Sequence, residues 1–419
     1  MNDEEIIVEK NFLSTNFTRI QTRIPNVYQM SFPEALKAIP ADLALHPNSK
    51  FKRSAQIAKL FIDEARGIVS MIPYGVRAKL VHKLTPKATE TISKDRGERR
   101  MQFKETRVSV KKDFKYGEDE RQKFDVYLPP ARSIRRGEKD DYDDDDEYEE
   151  REEEAENMRV PMAVFVHGGV WASGERWQFA PLAHRLAEEG IVTAVISYSL
   201  YPEKSAKAQA EEVLKALKCA IMNAKLFGAD ASRTHLVGHS AGSHLCAMAL
   251  LLDEEETQKK ESEKLKSFVG MCGVYNIETH YEYEDKRGVA MLSTMGRAMG
   301  GREKFKEMSP FHILEDRSSS SSSSSNSKSR SSDSGSEDND DDDVTKSSFP
   351  KTYLFTSDTD IVVPKRESED LHKTLLKIGV DSELSVYDHG THGEFALGFK
   401  KRPKPLRAFH RDLIELLHS

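Results

Sequence analysis

Ser240 lies in a stretch, HLVGHSAGSHL from His235 to Leu245, that has the spacing of a nucleophilic serine. The glycines two residues before and two residues after it form the pattern Gly-x-Ser-x-Gly, which occurs by chance in roughly one chain in seven of this length. Its context makes it more specific, because a short apolar run precedes it and helix-forming residues follow. A serine at such a strand-to-helix turn exposes its hydroxyl at a helix N-terminus, where the dipole favours developing negative charge. The sequence therefore predicts that Ser240 is a nucleophile.

A nucleophilic serine needs a base, and the base needs a carboxylate to orient it. In a strand–turn–helix arrangement of this kind the three groups follow in the order serine, acid, histidine. After Ser240 the chain offers two acids in SDTDIVVP, Asp358 and Asp360, and two histidines in YDHGTHGEF, His389 and His392. Each pair follows a predicted strand, at the edge where parallel sheets place their sites. The residues alone leave both choices open.

The stretch FVHGGVW, from Phe165 to Trp171, has the composition of a loop that supplies backbone N–H groups to a tetrahedral oxyanion. It follows an earlier predicted strand. We assign the N–H groups of Gly169 and Val170 to this role, together with that of Ala241, the residue after the nucleophile. A plain Gly-Gly turn is the alternative.

Alternating strands and helices are predicted to position these groups. Apolar runs typical of strands buried on both faces occur in MAVFVHGG, IVTAVISYSL, THLVGHS, LKSFVGMCGVYN and KTYLFTSD, and DSELSVYDHG follows as a sixth strand. Helices are predicted between them, and the earlier segments TRVSVKKDFKYG and KFDVYLP alternate like an antiparallel pair. This pattern predicts an α/β fold with a mostly parallel sheet and helices on both faces.

We expect one catalytic domain over residues 101–419, preceded by a helical N-terminal extension over residues 1–100. Two acidic inserts, about 135–158 and 317–347, are predicted to be disordered. The net charge is −12 over Glu138–Glu156 and −4 over Arg317–Asp343, so the chain's total of −7 leaves +9 on the remainder. Basic patches interleaved with aromatics are not evident, so we do not predict nucleic acid as a partner.

The three cysteines, Cys219, Cys246 and Cys272, are odd in number and lack metal-site spacing, which predicts buried thiols in a reducing compartment. No secretory signal and no apolar run of about 18 residues is found. We therefore expect a cytoplasmic protein, with a peripheral location at an internal membrane as the alternative. The amphipathic stretch Ser54–Ile72 is interpreted either as a helix packed on the main domain or as an interfacial helix that contacts a membrane. The oligomeric state is left open.

Taken together, these motifs resemble the α/β-hydrolase superfamily within its esterase branch, from about Lys115 to Phe399. The segments GVYN, HYEYEDKRG, MGGREKFKEMSP and GTHGEF resemble isoprenylcysteine methylesterases, which remove the methyl ester from prenylated C-terminal cysteines. The loop HGG-x-W and the stretch GHSAG-x-H also resemble kynurenine formamidases. The resemblance implies that the acid is Asp360, ahead of Ile361-Val362-Val363-Pro364, and that the base is His392.

The mechanism implied is hydrolysis of a carboxylic ester through an acyl-enzyme. His392 takes the proton of Ser240, Asp360 orients the imidazole, and no metal or cofactor is needed. The substrate is a small-molecule or lipidated ester. The alternatives are an arylformamidase-like amide hydrolase and a non-catalytic binding module on the same fold.

Three aromatic residues are candidates for the substrate pocket because they lie in or near the motifs. They are Trp171, Trp177 and Tyr275. An aromatic side chain at these positions suits an apolar substrate group, but a role in the core explains each of them equally well.

Overall fold

Eight strands form the central sheet of this computed structural model, which describes residues 73–92, 99–102, 107–130, 159–253, 265–290, 293–324, 349–400 and 406–419. In chain order the strands are β3 (Ser109–Lys115), β4 (Lys123–Leu128), β5 (Val160–Val166), β6 (Val192–Ile196), β7 (Ala229–His239), β8 (Ser267–Met271), β9 (Thr352–Ser357) and β10 (Ser382–Tyr387). They lie side by side in the order β10-β9-β8-β7-β5-β6-β4-β3.

The sheet is parallel from β10 to β6, and β4 and β3 extend it as antiparallel strands. The prediction of a mostly parallel sheet with an antiparallel pair before it is therefore confirmed. A separate antiparallel pair, β1 (Thr89–Ile92) and β2 (Arg99–Gln102), was not predicted. Its segments TETI and RRMQ carry few apolar residues, so they lack the alternation by which a strand is recognised.

The described helices lie between the strands or flank the sheet. They are α1 (residues 73–84), α2 (Ala180–Glu188), α3 (Ala206–Met222), α4 (Ala241–Leu252), α5 (Ile277–Lys286), α6 (Met295–Ala298), α7 (Pro310–Ser324), α8 (Arg366–Lys377), α9 (Glu394–Leu397) and α10 (Ala408–His418). None of the helices described is long and apolar enough to cross a membrane.

Two apolar layers cover the two faces of the sheet. Along β5, Val164 and Val166 belong to the layer that contains α3 and α4, whereas Ala163 and Phe165 belong to the layer that contains α2 and α10. Successive side chains of a strand point to opposite faces, so an uninterrupted apolar run such as VPMAVFV is buried on both sides. The expectation of helices on both faces is confirmed.

The segments around the sheet agree with the predictions only in part. Helix α1 lies within the predicted helical extension, and the stretch Ser54–Ile72 lies outside the described residues. The acidic insert at about 135–158 also lies wholly outside them, because the described residues resume at 159. Helix α7 continues to Ser324, further into the stretch 317–347 than expected. Each residue added to an existing helix gains one hydrogen bond, so a helix that begins at Pro310 can continue into residues of only moderate helix propensity such as serine.

Candidate active site

Ser240 occupies a strained turn between β7 and α4. The strand ends at His239 and the helix begins at Ala241, while Ser240 itself has φ 56° and ψ −126°. A positive φ in a residue with a side chain costs on the order of 1–3 kcal/mol and persists only where the surroundings impose it. Here the Ser240 N–H donates to the carbonyl oxygen of Met271 at the end of β8, at 2.9 Å. The turn is therefore fixed by the neighbouring strand.

The second glycine of the serine pattern is explained by crowding under the turn. A Cβ atom at Gly242 would lie 2.2 Å from the carbonyl oxygen of Val166 and 2.5 Å from that of His167. Both are backbone atoms at the end of β5 and cannot move aside cheaply. Helix α4 can approach β5 this closely only with glycine at position 242, which confirms the strand–turn–helix reading of the sequence.

Asp360 and His392 are brought together at the same edge of the sheet. The His392 Nδ1–H donates to Asp360 Oδ2 at 2.7 Å, and Asp360 Oδ1 accepts the N–H groups of Val362 at 2.8 Å and Val363 at 3.0 Å. The Asp360 side chain is fully buried, and that of His392 is 16% exposed. Burial raises the pKa of Asp360, but the hydrogen bonds from His392 and the two amides outweigh it and leave the pKa below its ordinary value.

The competing candidates lie apart from this pair. Asp358 is half exposed and pairs with Lys365, with Nζ 2.7 Å from Oδ1. His389 is also exposed and pairs with the exposed neighbour Asp388. Asp358 therefore lacks the buried, amide-bonded environment of Asp360, and His389 lacks the buried carboxylate partner of His392. The geometry agrees with the choice that the family resemblance implied.

The strand order explains how these groups meet. Ser240 follows β7, Asp360 follows β9 and His392 follows β10, and these parallel strands all end at one edge of the sheet. Between them, Cys272 follows β8, with φ 49°. The Cys272 Sγ atom, a carboxylate oxygen of Asp360 and a ring nitrogen of His392 lie within 4.8 Å of one another. Burial, and then the neighbouring carboxylate of Asp360, raise the pKa of this thiol well above its usual range, so it stays neutral.

The loop after β5 has three consecutive residues with a positive φ angle. Gly169 has φ 134°, Val170 has φ 47° and Trp171 has φ 61°. Within the described ranges, the N–H groups of Gly169, Val170 and Ala241 donate no hydrogen bond to another part of the chain. Three unpaired donors on two neighbouring segments, one of them at a helix N-terminus, suit an anion.

Trp171 holds this loop against α4. Its side chain is 2% exposed, and its Nε1–H donates to His244 Nδ1 at 3.1 Å. The His244 Nε2–H in turn donates to the carbonyl oxygen of Met308 at 2.8 Å. Gln209 Nε2–H donates to the carbonyl oxygen of Trp171, also at 2.8 Å. The burial and the hydrogen bonds of Trp171 favour the role in the core that the sequence left open, and its assignment to the substrate pocket stays a prediction.

Tyr275 likewise has the surroundings of a core residue, and its assignment to the pocket stays a prediction. Its side chain is fully buried, and its backbone N–H donates to Glu367 Oε2 at 2.9 Å. Trp177, in contrast, is half-buried and its ring lies 5.2 Å from the Lys79 Nζ atom, a cation–π arrangement. Its assignment to the substrate pocket stays a prediction.

Two histidines beside the nucleophile were missed as functional candidates. His239 directly precedes Ser240 and contacts His392, and His244 carries the bond from Trp171. Both belong to the stretch GHSAGSH, so the signal was present in the sequence. A lone buried histidine is unremarkable in a core, and only their long-range partners distinguish these two.

Several known proteins are similar to this chain. Residues 148–321 match the family model BD-FAE. A probable isoprenylcysteine alpha-carbonyl methylesterase of Oryza sativa subsp. japonica is 28% identical over 306 residues, which are 72% of this chain and 60% of that protein. A kynurenine formamidase of Danio rerio is 29% identical over 166 residues, which are 40% of this chain and 46% of that one. The chain thus spans about three fifths of the length of the methylesterase.

A solved structure has the same architecture. Esterase B of Lactobacillus rhamnosis, inhibited by a C6-C4 SN3 compound, has a TM-score of 0.53 and 14% identity, covering 87% of this chain and 96% of its own. At that identity the likeness shows the fold alone. The parallel sheet, the strained serine turn between β7 and α4, and this likeness in structure show that the chain has the α/β-hydrolase fold.

Proposed function

We propose that the protein is a serine hydrolase that cleaves carboxylic esters through an acyl-enzyme. The observation that carries this proposal is the buried Asp360–His392 hydrogen bond at the sheet edge where Ser240 is held in a strained turn. The similarity in sequence to the plant protein named as a methylesterase supports the reaction class. The alternative of a non-catalytic binding module is disfavoured, because nothing in binding alone requires the strained serine.

The mechanism uses each group at a stated atom. Asp360 accepts the Nδ1–H of His392, which leaves the Nε2 lone pair free to take the proton of Ser240 as its oxygen attacks the ester carbonyl. The negative charge that develops on the carbonyl oxygen is received by the amides of Gly169, Val170 and Ala241. His392 then gives its proton to the leaving alcohol, and the acyl group stays on the serine.

Water completes the cycle by the same steps, with water as the nucleophile and the Ser240 oxygen as the leaving group. His392 removes a proton from water as the water oxygen attacks the acyl-enzyme, and the second tetrahedral intermediate collapses to release the acid. His392 returns the proton to Ser240, so the enzyme is regenerated without a cofactor. Removing a single hydrogen-bond donor from an oxyanion site raises the activation free energy by about 3–4 kcal/mol, and we expect a contribution of this order from each amide here.

An apolar substituent on the ester fits the exposed surface around these loops. Val170 is 45% exposed, and Ile361 and Val362, which directly follow Asp360, are 71% and 41% exposed. Exposed branched side chains on the oxyanion loop and on the acid loop favour a hydrophobic substrate over a polar one. Together with the name of the plant relative, they support a prenylcysteine methyl ester as the substrate.

The alternative substrate is an aryl formamide. It is supported by the kynurenine formamidase match, which covers 40% of this chain against 72% for the methylesterase. Both substrates would use the same serine, acid and base. They differ in the group that must be accommodated beside the reacting carbonyl, which is a long apolar chain in one case and a charged amino acid in the other.

Peripheral membrane contact is proposed for helix α1. The exposed apolar side chains of this helix are Val76 at 63%, Leu80 at 55% and Leu84 at 64%. They are spaced four residues apart and form one stripe, and the helix carries lysines but no acids. Sedimentation with phosphatidylserine vesicles tests the contact. Leu80→Glu should abolish co-sedimentation, and equal sedimentation of this variant would refute the role of the stripe. The cytoplasmic location stays a prediction.

One experiment separates the candidate functions. We would measure kcat/KM on farnesylcysteine methyl ester, p-nitrophenyl acetate and N-formylkynurenine, with Ser240→Ala as the blank and fluorophosphonate labelling as the readout of the serine. A preference for the farnesyl ester supports the methylesterase, and turnover of the short ester alone leaves a general esterase. Turnover of the formamide above both esters supports the alternative, and failure of the folded protein to label would overturn the serine mechanism.

A further inference from the structure

His239 forms the contact between the nucleophile strand and the loop that carries His392. The His392 carbonyl oxygen can only accept, so His239 is the tautomer with its proton on Nε2, which donates to that oxygen at 2.8 Å. The two imidazole rings lie 4.8 Å apart between centroids, at an interplanar angle of 43°. One side chain therefore bonds the backbone of His392 and packs against its ring.

The loop that carries His392 needs such a contact. It joins β10, which ends at Tyr387, to α9, which begins at Glu394, and has no regular structure of its own. From the acid side, Thr359 Oγ1–H donates to the carbonyl oxygen of Gly390 at 3.1 Å. From the nucleophile side, His239 donates a hydrogen bond to this loop at the carbonyl oxygen of His392. The spacing between base and nucleophile thus depends on the residue next to the nucleophile.

We propose that His239 is a positioning residue that holds the general base His392 at its working distance from Ser240. The inference rests on the proposed serine mechanism. His239 touches no substrate atom in this role and acts through the backbone and ring of His392. General-base catalysis requires the base within hydrogen-bond reach of the proton that it removes, and an error of about 1 Å in such a geometry costs about 100-fold in rate.

The chemical state of His239 suits a permanent contact. Burial, and then the nearby His392, lower the pKa of His239 to about 3, so its ring is neutral throughout the range in which esterases act. A neutral ring keeps one donor and does not repel His392 when that residue takes the proton of the serine. The hydrogen bond is then retained in both halves of the catalytic cycle.

The test compares three variants in the full-length chain. His239→Phe keeps a ring but removes the donor, and His239→Gln keeps a donor near the Nε2 position. His235→Phe is the matched control, since His235 lies on the same strand, is fully buried and bonds Ser267 Oγ at 2.8 Å, away from the site. Each variant is assayed for kcat and KM on p-nitrophenyl acetate, for fluorophosphonate labelling and for melting temperature.

We expect His239→Phe to lower kcat about 10- to 100-fold with KM within about twofold, and His239→Gln to recover most of the loss. His235→Phe should lose melting temperature but not kcat per folded molecule. The inference is overturned if His239→Phe keeps the kcat of the wild type, or if Gln gives no recovery. Should His239→Phe not fold, His239→Met, which is donorless and flexible, takes its place. A wild-type protein that neither labels nor turns over would instead refute the proposed function itself.

Discussion

A single methyl group at Gly168 should disable the site without unfolding the protein. A Cβ atom at this position would lie 2.8 Å from the carbonyl oxygen of His239 and 2.8 Å from the Cβ atom of Ser240. Ordinary contact begins at about 3.4 Å, so Gly168→Ala creates an overlap of about 0.6 Å with each of two atoms. One is backbone and the other is the first side-chain atom of the nucleophile, so neither can rotate away.

The overlap must be relieved by moving the oxyanion loop and the serine turn apart. Since an error of about 1 Å costs about 100-fold, a displacement of about 0.6 Å should lower kcat about 10- to 100-fold. This loss corresponds to about 1.4–2.7 kcal/mol of transition-state stabilisation. KM should change little, because the displaced groups act on the reacting carbonyl and not on the remainder of the substrate.

The matched control is Gly75→Ala in helix α1, where no described atom lies within 4 Å of the added Cβ. Alanine in a helix is about 0.5–1 kcal/mol more favourable than glycine, so this variant should be slightly more stable and equally active. Steady-state kinetics on p-nitrophenyl acetate, the rate of fluorophosphonate inactivation and thermal unfolding are measured for both variants. A folded Gly168→Ala protein with kcat within about twofold of the wild type would refute the crowding argument.

Three further changes test other parts of the site and the fold. Asp360→Asn should lower kcat about 10⁴-fold with little change in KM, because an amide favours the wrong tautomer of His392; a loss below tenfold in a steady-state assay would contradict this role. Trp171→Phe leaves the buried His244 Nδ1 without its donor and should cost about 1–3 kcal/mol of unfolding free energy in urea, along with part of kcat; an unchanged urea midpoint would argue against the network. Burial lowers the pKa of His235 to about 4, below its unfolded value of about 6.5, so the unfolded state binds the proton first and stability is lost as the pH falls below about 6.5. From pH 7.5 to 5.5 the wild type should therefore lose about 1.3 kcal/mol more unfolding free energy than His235→Asn, and equal losses would refute the assignment.

The fold could be predicted because its strands leave an unambiguous pattern. Runs such as VPMAVFV in β5 are apolar at every position, which only a strand covered on both faces requires. The separate pair β1 and β2 left no such pattern, since its residues are mostly charged or polar. Patterning thus identifies the elements that contribute to the core and misses those that do not.

The site could be predicted only to the level of candidates. Both Asp358 and Asp360 follow β9, and the difference between them is made by the backbone of the next three residues, which turns two N–H groups toward Asp360. Spacing in sequence does not encode that turn. The surroundings of Trp171 could not be predicted for a related reason: its hydrogen-bond partner His244 is 73 residues away, so nothing local in the sequence shows that its indole N–H is bonded.

The stretch GHSAGSH does more than supply the nucleophile. His239, before Ser240, bonds the loop of the base, and His244, after it, bonds the loop of the oxyanion donors. Burial lowers the pKa of the first to about 3 and of the second to about 4, so both are uncharged at neutral pH. The loop of the base and the loop of the oxyanion donors are more than 200 residues apart in sequence. Both are hydrogen-bonded to the same short segment through imidazole rings that stay neutral. Because both bonds start within four residues of the serine, a shift of the turn carries base and donors with it, which preserves their relative geometry better than independent anchors would.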